Sequence, residues 1–215
     1  MKTLFCAIVL LALTGCVDFS LASLPGNERP SFVPVNFRGD AKLPADLQRI
    51  AVLPAHGGDT VTAESAAAMD AVLIQALQRQ ARFEVVAVSR EDCRRLFGAE
   101  SFASTDALPH GLLEKIAEKY AVDAVLFTDL TVYEAYRPIS LGFRAKLATA
   151  REVRLVWAFD EVFSASQDTM VTSVHNYYGQ GDRSAPIDPT VAALQSPARF
   201  GAVAADLMFR TLPIR

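Results

Sequence analysis

Cysteine is scarce in this sequence, with three residues in a chain of 215. Cys6 and Cys16 both lie near the amino terminus, which leaves Cys93 as the one cysteine in the rest of the chain. Once the other two are set aside, Cys93 has no partner with which to form an internal disulfide. We expect Cys93, within "EDCRRLFG", to be a small buried hydrophobic residue, with a reactive thiol as the alternative.

Residues that commonly carry chemistry are also few. The three histidines, His56, His110 and His175, show no spacing typical of metal ligands. The Walker pattern, the dinucleotide fingerprint and the G-x-S-x-G nucleophile turn do not occur in the sequence. We therefore predict no catalytic residues, no metal site and no bound cofactor, and we expect that the protein is not an enzyme.

Two groups of polar residues keep a hydrolase as the weakest hypothesis. In the loop "AHGGDT", His56 and Asp59 could ligate a metal and the glycines could admit a phosphate, although a solvated turn is the favoured interpretation. A second group consists of carboxylates spread along the later part of the chain: Asp123, Asp129, Glu134, Asp160 and Glu161. The sequence cannot show whether any two of them meet at the separation that acid–base catalysis requires.

The sequence has neither a large excess of one charge nor an apolar run at its amino terminus long enough to span a bilayer. Its formal net charge of −3 gives no electrostatic support for a nucleic-acid partner. The apolar stretch 4–13 has about half of the roughly 20 residues that a transmembrane helix needs. With 51% hydrophobic and 21% charged residues, the composition is that of a folded domain.

The amino terminus contains the three-part pattern of a bacterial export signal. Lys2 supplies a positive charge, the apolar stretch follows, and the small residues Thr14 and Gly15 precede Cys16. The sequence "LTGC" fits the lipobox of bacterial lipoproteins. It predicts that the signal peptide 1–15 is cleaved between Gly15 and Cys16 and that the Cys16 sulfur receives a diacylglycerol. An ordinary secretory peptide or a short membrane anchor is the alternative.

A lipid-modified Cys16 would tether the protein to a membrane without spanning it. Mature bacterial lipoproteins carry three fatty acyl chains, such as palmitate, and two or more chains hold a protein stably. An aspartate directly after the cysteine marks inner-membrane lipoproteins. Here that position is Val17, with Asp18 one place later, so we expect the outer membrane, with the protein facing the periplasm.

Patterns of hydrophobicity divide the rest into a flexible tether, 16–47, and one folded domain, 48–215. The tether is rich in proline and shows no periodicity. Within the domain, apolar spacing and turn residues predict the secondary structure. We predict strands at 49–55, 83–88, 123–136, 139–148 and 153–160, and a further strand around 170–178. We predict helices at 62–82, 89–98, 109–120 and from 196 onward, with Ser89 as the N-cap of the second helix.

This order of elements predicts an α/β fold with a mixed sheet. The early alternation of strand and helix indicates parallel pairing, and the later hairpins must be antiparallel. Alternating apolar residues in the hairpins indicate one packed and one wetter face. We therefore expect a mixed parallel and antiparallel sheet covered by helices, with Trp157 in its core.

Four segments in this order resemble a known family: "RIAVLP", "FEVVAVSREDCRRLFG", "AEKYAVDAVLFTDLTVYE" and "ISLGFRAKLATAREVRLVWAFDEVF". The chain is similar over 48–209 to the bacterial envelope lipoproteins related to the curli secretion protein CsgG, which include the penicillin-binding-protein activator LpoB. The channel-forming member has additional membrane hairpins, for which this chain has few residues to spare.

The resemblance implies a lipid-anchored protein that acts as a non-enzymatic adaptor or assembly factor for other cell-envelope proteins, for example by activating a cell-wall synthase. Its implied partners are therefore the membrane and envelope proteins. The alternative is an accessory subunit of a secretion or transport apparatus that forms a homo-oligomer. The adaptor hypothesis predicts a monomer that captures a partner, whereas the alternative predicts a stable ring.

Overall fold

The computed structural model describes residues 29–179 and 188–215. The predicted signal peptide 1–15, its cleavage site at Gly15 and the lipidation site Cys16 lie outside the described residues. In the part of the chain that is described, no helix is long and apolar enough to cross a membrane.

A seven-stranded mixed sheet forms the centre of the fold. Strand β2 pairs in parallel with β4 and β5, whereas β5, β6, β7 and β1 pair antiparallel in that order across the sheet. The short strand β3 extends the parallel part beside β5. This arrangement confirms the predicted mixed α/β sheet. The strands are β1 (Phe37–Gly39), β2 (Arg49–Val52), β3 (His56–Gly57), β4 (Glu84–Ala87), β5 (Ala124–Glu134), β6 (Ser140–Thr149) and β7 (Leu155–Ser164).

Helices begin where the sequence supplies capping side chains. Thr62, Ser89 and Ser196 each accept a hydrogen bond from a backbone N–H of the first turn. The predicted cap at Ser89 is thus confirmed, and Gly98 ends the same helix in a left-handed conformation. The described helices are α1 (Ala63–Arg79), α2 (Arg90–Phe97), α3 (Leu112–Tyr120), α4 (Asp168–Tyr178), α5 (Pro189–Ala193) and α6 (Pro197–Arg210).

Two hydrophobic cores lie on opposite faces of the sheet. Helices α1, α4 and α6 contribute to the larger core, in which the Trp157 side chain is fully buried. The indole N–H of Trp157 donates a hydrogen bond to the Thr211 hydroxyl at 3.1 Å. Helices α2 and α3 contribute to the smaller core, which contains Cys93. The predictions that Trp157 and Cys93 are core residues are therefore confirmed.

The further strand predicted around 170–178 is wrong, because these residues form helix α4. Met170, Ser173 and Val174 are buried, and Tyr177 packs against the same core one turn later. This is the spacing of a helix face, and it outweighs the preference of Val171, Thr172 and the tyrosines for strands. The short helix α5 is not among the predicted elements either.

The predicted tether, 16–47, is wrong in its second half. Residues 31–43, which we call the strap, run along the outer edge of β7 and include β1. The Phe32 ring lies 5.2 Å from the Phe163 ring, and the Leu43 N–H donates to the Ile214 carbonyl at 2.7 Å. Leu43 and Leu47 are buried in the larger core. These contacts join residues far apart in sequence, which local composition could not reveal.

Replacement of Leu43 by alanine tests whether the strap belongs to the folded domain. Leu43→Ala should lower the free energy of unfolding by about 2–5 kcal/mol, because it removes a buried side chain and leaves a cavity. Val33→Ala, at an exposed strap position, is the control and should stay within about 0.5 kcal/mol of the wild type. Urea unfolding measures both, and equal stability of the two variants would contradict a packed strap.

Candidate functional site

The loop "AHGGDT" does not form an isolated turn, because His56 and Gly57 form strand β3 beside β5. The His56 Nδ1 atom lies 3.1 Å from the Ser101 hydroxyl oxygen, and His56 is the register partner of Asp129. Asp59 lies in the turn that follows. Among the described residues, no group of three His, Cys, Asp or Glu side chains could hold a metal ion.

The Asp129 carboxylate is hydrogen-bonded to the loop that precedes α3. Its side chain is buried, and it accepts hydrogen bonds from the Ser104 N–H at 2.9 Å and the Ser104 hydroxyl at 2.6 Å. Lys146 reinforces the same contact by donating to the Ser104 carbonyl at 2.7 Å. Asp129 and Lys146 therefore fasten this loop to the sheet, and the carboxylate has no clear access to a substrate.

Three of the four other predicted carboxylates also hold parts of the structure together. Asp123 accepts hydrogen bonds from the Gln48 and Arg49 N–H groups, both at 2.9 Å. Arg144 lies between Asp129 and Asp160 in cross-strand register, and its Nε donates to Asp160 at 2.8 Å. Glu161 binds the strap backbone, whereas Glu134 is exposed at the end of β5.

His110 and His175 lie apart from His56. His110 is exposed just before α3, whereas His175 belongs to helix α4 and not to a strand as predicted. The His175 Nδ1 atom lies 3.4 Å from the Thr190 hydroxyl oxygen. The three histidines therefore contribute to three different places in the fold.

Cys93 faces the smaller core and has no contact with solvent. Burial, with a smaller contribution from the nearby Asp92 carboxylate, raises the pKa of the Cys93 thiol to about 11. A thiol with this pKa is almost entirely protonated at neutral pH and is a poor nucleophile. The structure therefore favours the packing role over the reactive one.

A crevice lies at the carboxyl ends of β2 and β4, between α1 and α2, and encloses about 320 Å³. Arg90 donates to the Asp70 carboxylate from Nε at 2.9 Å and from Nη2 at 3.1 Å. The same Nη2 donates to the Ala55 carbonyl at 2.8 Å, and the Ala55 N–H donates back to Asp70 at 2.8 Å. This closed set of hydrogen bonds ties α1, α2 and the end of β2 together.

Burial raises the pKa of Asp70 above its ordinary value, although the Ala55 N–H and the Arg90 charge act in the opposite direction. No sequence pattern indicates this pair. Asp70 and Arg90 stand 20 residues apart on two different helices, and their meeting depends on the crossover between β2 and β4. The arrangement is that of a structural clamp with an apolar crevice beside it.

The turn between β5 and β6 is exposed and lies beside a cavity. Tyr136 projects from it with 90% of its surface exposed, next to Arg137. Tyrosine and arginine are enriched among the residues that dominate protein interfaces. Beside the turn is a cavity of about 430 Å³ with mostly apolar walls. Its lining residues are Arg137, Pro138, Ala165, Val191 and Leu194.

The strap provides a second exposed surface at the edge of the sheet. The backbone N–H and C=O groups of its even-numbered residues point toward β7. The Asn36 carbonyl accepts a hydrogen bond from the Asp160 N–H, and the Asp40 N–H donates one to the Val156 carbonyl, both at 3.0 Å. By the antiparallel pattern, the N–H groups of Phe37 and Gly39 point away from β7. In the described part of the chain, neither group has a hydrogen-bond partner.

The Glu161 carboxylate secures the strap where its pairing with β7 becomes irregular. One of its oxygens accepts from the Val35 N–H at 2.9 Å and from the Asn36 N–H at 3.0 Å. Further along, Phe32 donates its N–H to the Thr169 carbonyl at 3.0 Å and to the Ser173 hydroxyl at 2.8 Å. The sequence analysis placed Glu161 among candidate carboxylates, but its partners lie about 125 residues earlier.

No family model and no curated protein matches the chain. Among solved structures, it is similar to the PelC dodecamer from Paraburkholderia phytofirmans, with 14% identity over 80% of this chain and 96% of that chain, at a TM-score of 0.42. Lipoprotein GNA1162 from Neisseria meningitidis has 18% identity over 62% of this chain and 99% of that chain, at a TM-score of 0.44. The LpoB C-terminal domain from Escherichia coli has 16% identity over 55% of this chain and 83% of that chain, at a TM-score of 0.36.

At these identities and TM-scores, the similarities assign no function to the chain. They include LpoB, which belongs to the group that the sequence resembles. The relation to the curli secretion protein stays a prediction.

The clamp in the crevice can be tested with Arg90→Met. Loss of the guanidinium leaves the partly buried Asp70 carboxylate without its cation, and we expect a loss of about 1–3 kcal/mol of stability at neutral pH. Because Arg90 lowers the pKa of Asp70, its removal raises that pKa further. The folded variant then binds a proton more readily than the unfolded chain, so the loss should shrink as the pH falls toward about 4.

The matched control is Arg94→Met on the same helix, whose ion pair with Glu91 is exposed. It should change stability by less than about 1 kcal/mol at either pH. Urea unfolding at neutral pH and at a pH of about 4 measures the stability of both variants. A loss in Arg90→Met that is independent of pH would mean that Asp70 does not respond to the missing charge.

Proposed function

We propose that this protein is a lipid-anchored component of the bacterial cell envelope that acts by binding other envelope proteins and not by catalysis. Its anchor would be Cys16, acylated after cleavage at Gly15, and its location would be the periplasmic side of the outer membrane. The folded domain would supply the binding surface as an adaptor or assembly factor.

The observation that carries the proposal is the sequence "LTGC" directly behind a basic start and a short apolar run. Charge, length, small residues and cysteine occur here in the order that export and lipidation require. An anchored domain next to a membrane has a high local concentration near other membrane-bound proteins. Even a modest binding surface is then sufficient for function.

The described side chains support binding over catalysis. Most of the predicted carboxylates are committed to backbone groups or to a cation, as Asp123, Asp129 and Glu161 show. The Cys93 thiol is buried and protonated at neutral pH. The exposed turn at Tyr136, with its apolar cavity, is a better candidate for contact with a protein than for a reaction.

The strap limits the reach of such an adaptor. With the strap packed on β7, the predicted tether shortens to 14 residues, 17–30, instead of extending to residue 47. A flexible linker of that length has an end-to-end distance of about 20 Å. Its partners must therefore present a binding site close to the membrane surface.

Replacement of Cys16 tests the anchor. Cys16→Ser should remain uncleaved and lose the lipid, because the acceptor sulfur is missing. Cys6→Ser, a change within the predicted leader, is the matched control and should be processed as in the wild type. Mass spectrometry of the purified proteins reads the amino terminus directly. A wild-type protein with an intact leader, or with an unmodified first residue, would contradict the proposal.

The binding role can be tested by photo-crosslinking in intact cells. A photoreactive amino acid at Tyr136 should capture another envelope protein, whereas the same group at Glu64, an exposed position of α1, should not. Mass spectrometry identifies the product. Capture of only a second copy of the chain would favour the oligomeric secretion or transport subunit. No difference between the two positions would contradict a binding surface at Tyr136.

A further inference from the structure

We propose that the strap is a membrane-contact element that rests on the lipid surface, with its exposed apolar side chains at the boundary between headgroups and acyl chains. The occupant of this surface is a bilayer that contains anionic phospholipid. The inference rests on the proposed lipidation of Cys16, and it adds a second contact between the protein and the same membrane.

Exposed apolar side chains are concentrated in the strap. Val33, Val35 and Phe37 are 73%, 79% and 45% exposed, and they occupy alternate positions of an extended segment. They make up three of the ten large hydrophobic residues that are exposed in the described part of the chain. Isolated exposed residues of this kind are ordinary, whereas a cluster marks a surface that is covered in use.

The charges around these side chains suit an anionic surface. Arg29, Arg38 and Lys42 are all exposed, and none of the described carboxylates lies within ion-pair distance of them. Asp40, the acidic residue between them, is occupied by an ion pair with Arg154. Cations near an anionic leaflet are attracted to its surface potential. Residues 29–43 thus carry three basic side chains and one acidic side chain, in a chain whose net charge is negative.

The position of the strap in the chain selects a membrane over a protein as its occupant. Only 12 residues, 17–28, separate Cys16 from Arg29. A linker of this length spans about 20 Å on average and about 45 Å when fully extended. It therefore keeps the strap at a local concentration in the millimolar range relative to the bilayer. At that concentration, a weak contact through three side chains and three cations is populated.

The outward N–H groups of Phe37 and Gly39 offer a different occupant, an extended segment of a partner protein. Such a segment would bind by backbone hydrogen bonds and would need neither the anchor nor the cations. Headgroups and interfacial water can satisfy the same N–H groups. A lipid surface accounts for the exposed apolar side chains, for the cations and for the short distance from Cys16. Binding of a protein segment is therefore an alternative outcome of the experiment.

A fluorescent label at position 35 tests the inference. Val35→Cys is labelled with an environment-sensitive dye in the lipidated, full-length mature protein, which is then reconstituted into phosphatidylcholine vesicles with about 30 mol% phosphatidylglycerol. Cys93 should not react, because it is buried and its pKa is about 11. The matched control is Ala87→Cys, an exposed position on β4 at the opposite edge of the sheet, about 24 Å away.

At position 35 we expect a blue shift of the emission and quenching by a spin label on the lipid acyl chains. Both effects should weaken in vesicles without phosphatidylglycerol, and neither should occur at position 87. A label at Phe37→Cys should repeat the result if the change at Val35 disturbs the strap.

Three results would overturn the inference. Vesicle-bound protein with the same emission at positions 35 and 87 would refute the membrane contact but leave the anchor intact. A shift that occurs only after addition of an envelope protein fraction would assign the strap to a protein partner. A wild-type protein that does not float with the vesicles would show that Cys16 carries no lipid, which would refute the proposed function as well.

Discussion

The pairing of the strap with β7 is the contact on which this account depends. It joins the first described residues of the chain to the last long strand of the sheet, across more than a hundred residues of sequence. Without it, the strap would be a tether, and the domain would move freely at a distance from the proposed anchor. With it, the described chain enters the fold at a fixed edge of the sheet, so the position of the proposed anchor would be coupled to the orientation of the sheet.

This coupling separates the surfaces of the protein. The strap lies at one edge of the sheet, whereas the crevice at β4 lies toward the opposite edge. The Tyr136 turn lies at the end of the β5–β6 hairpin and presents a tyrosine and an arginine next to an apolar cavity. The proposed membrane contact and the proposed protein-binding surface therefore belong to different elements of the fold.

The sequence predicted elements in which a local pattern coincides with the fold. Alternation from Leu141 to Leu147 gave the hairpin, and the cap at Ser89 gave the start of α2. Prediction from the sequence failed where contacts between residues far apart in the chain determine the structure. The prolines near Pro34 indicate a linker, yet Phe32 packs on Phe163, and nothing local shows this. The pairing of Asp70 with Arg90 and of Glu161 with the strap backbone likewise depends on the assembled sheet.

Hydrogen exchange at the strap amides tests the central claim most directly. If the strap is the edge strand of the sheet, the N–H groups of Arg38 and Asp40 should exchange slowly, because they face β7. The N–H groups of Phe37 and Gly39 point outward and should exchange much faster in the detergent-solubilised protein. This alternation is the expected result. Fast exchange at all four positions would show that the segment is a free tether and would contradict the account.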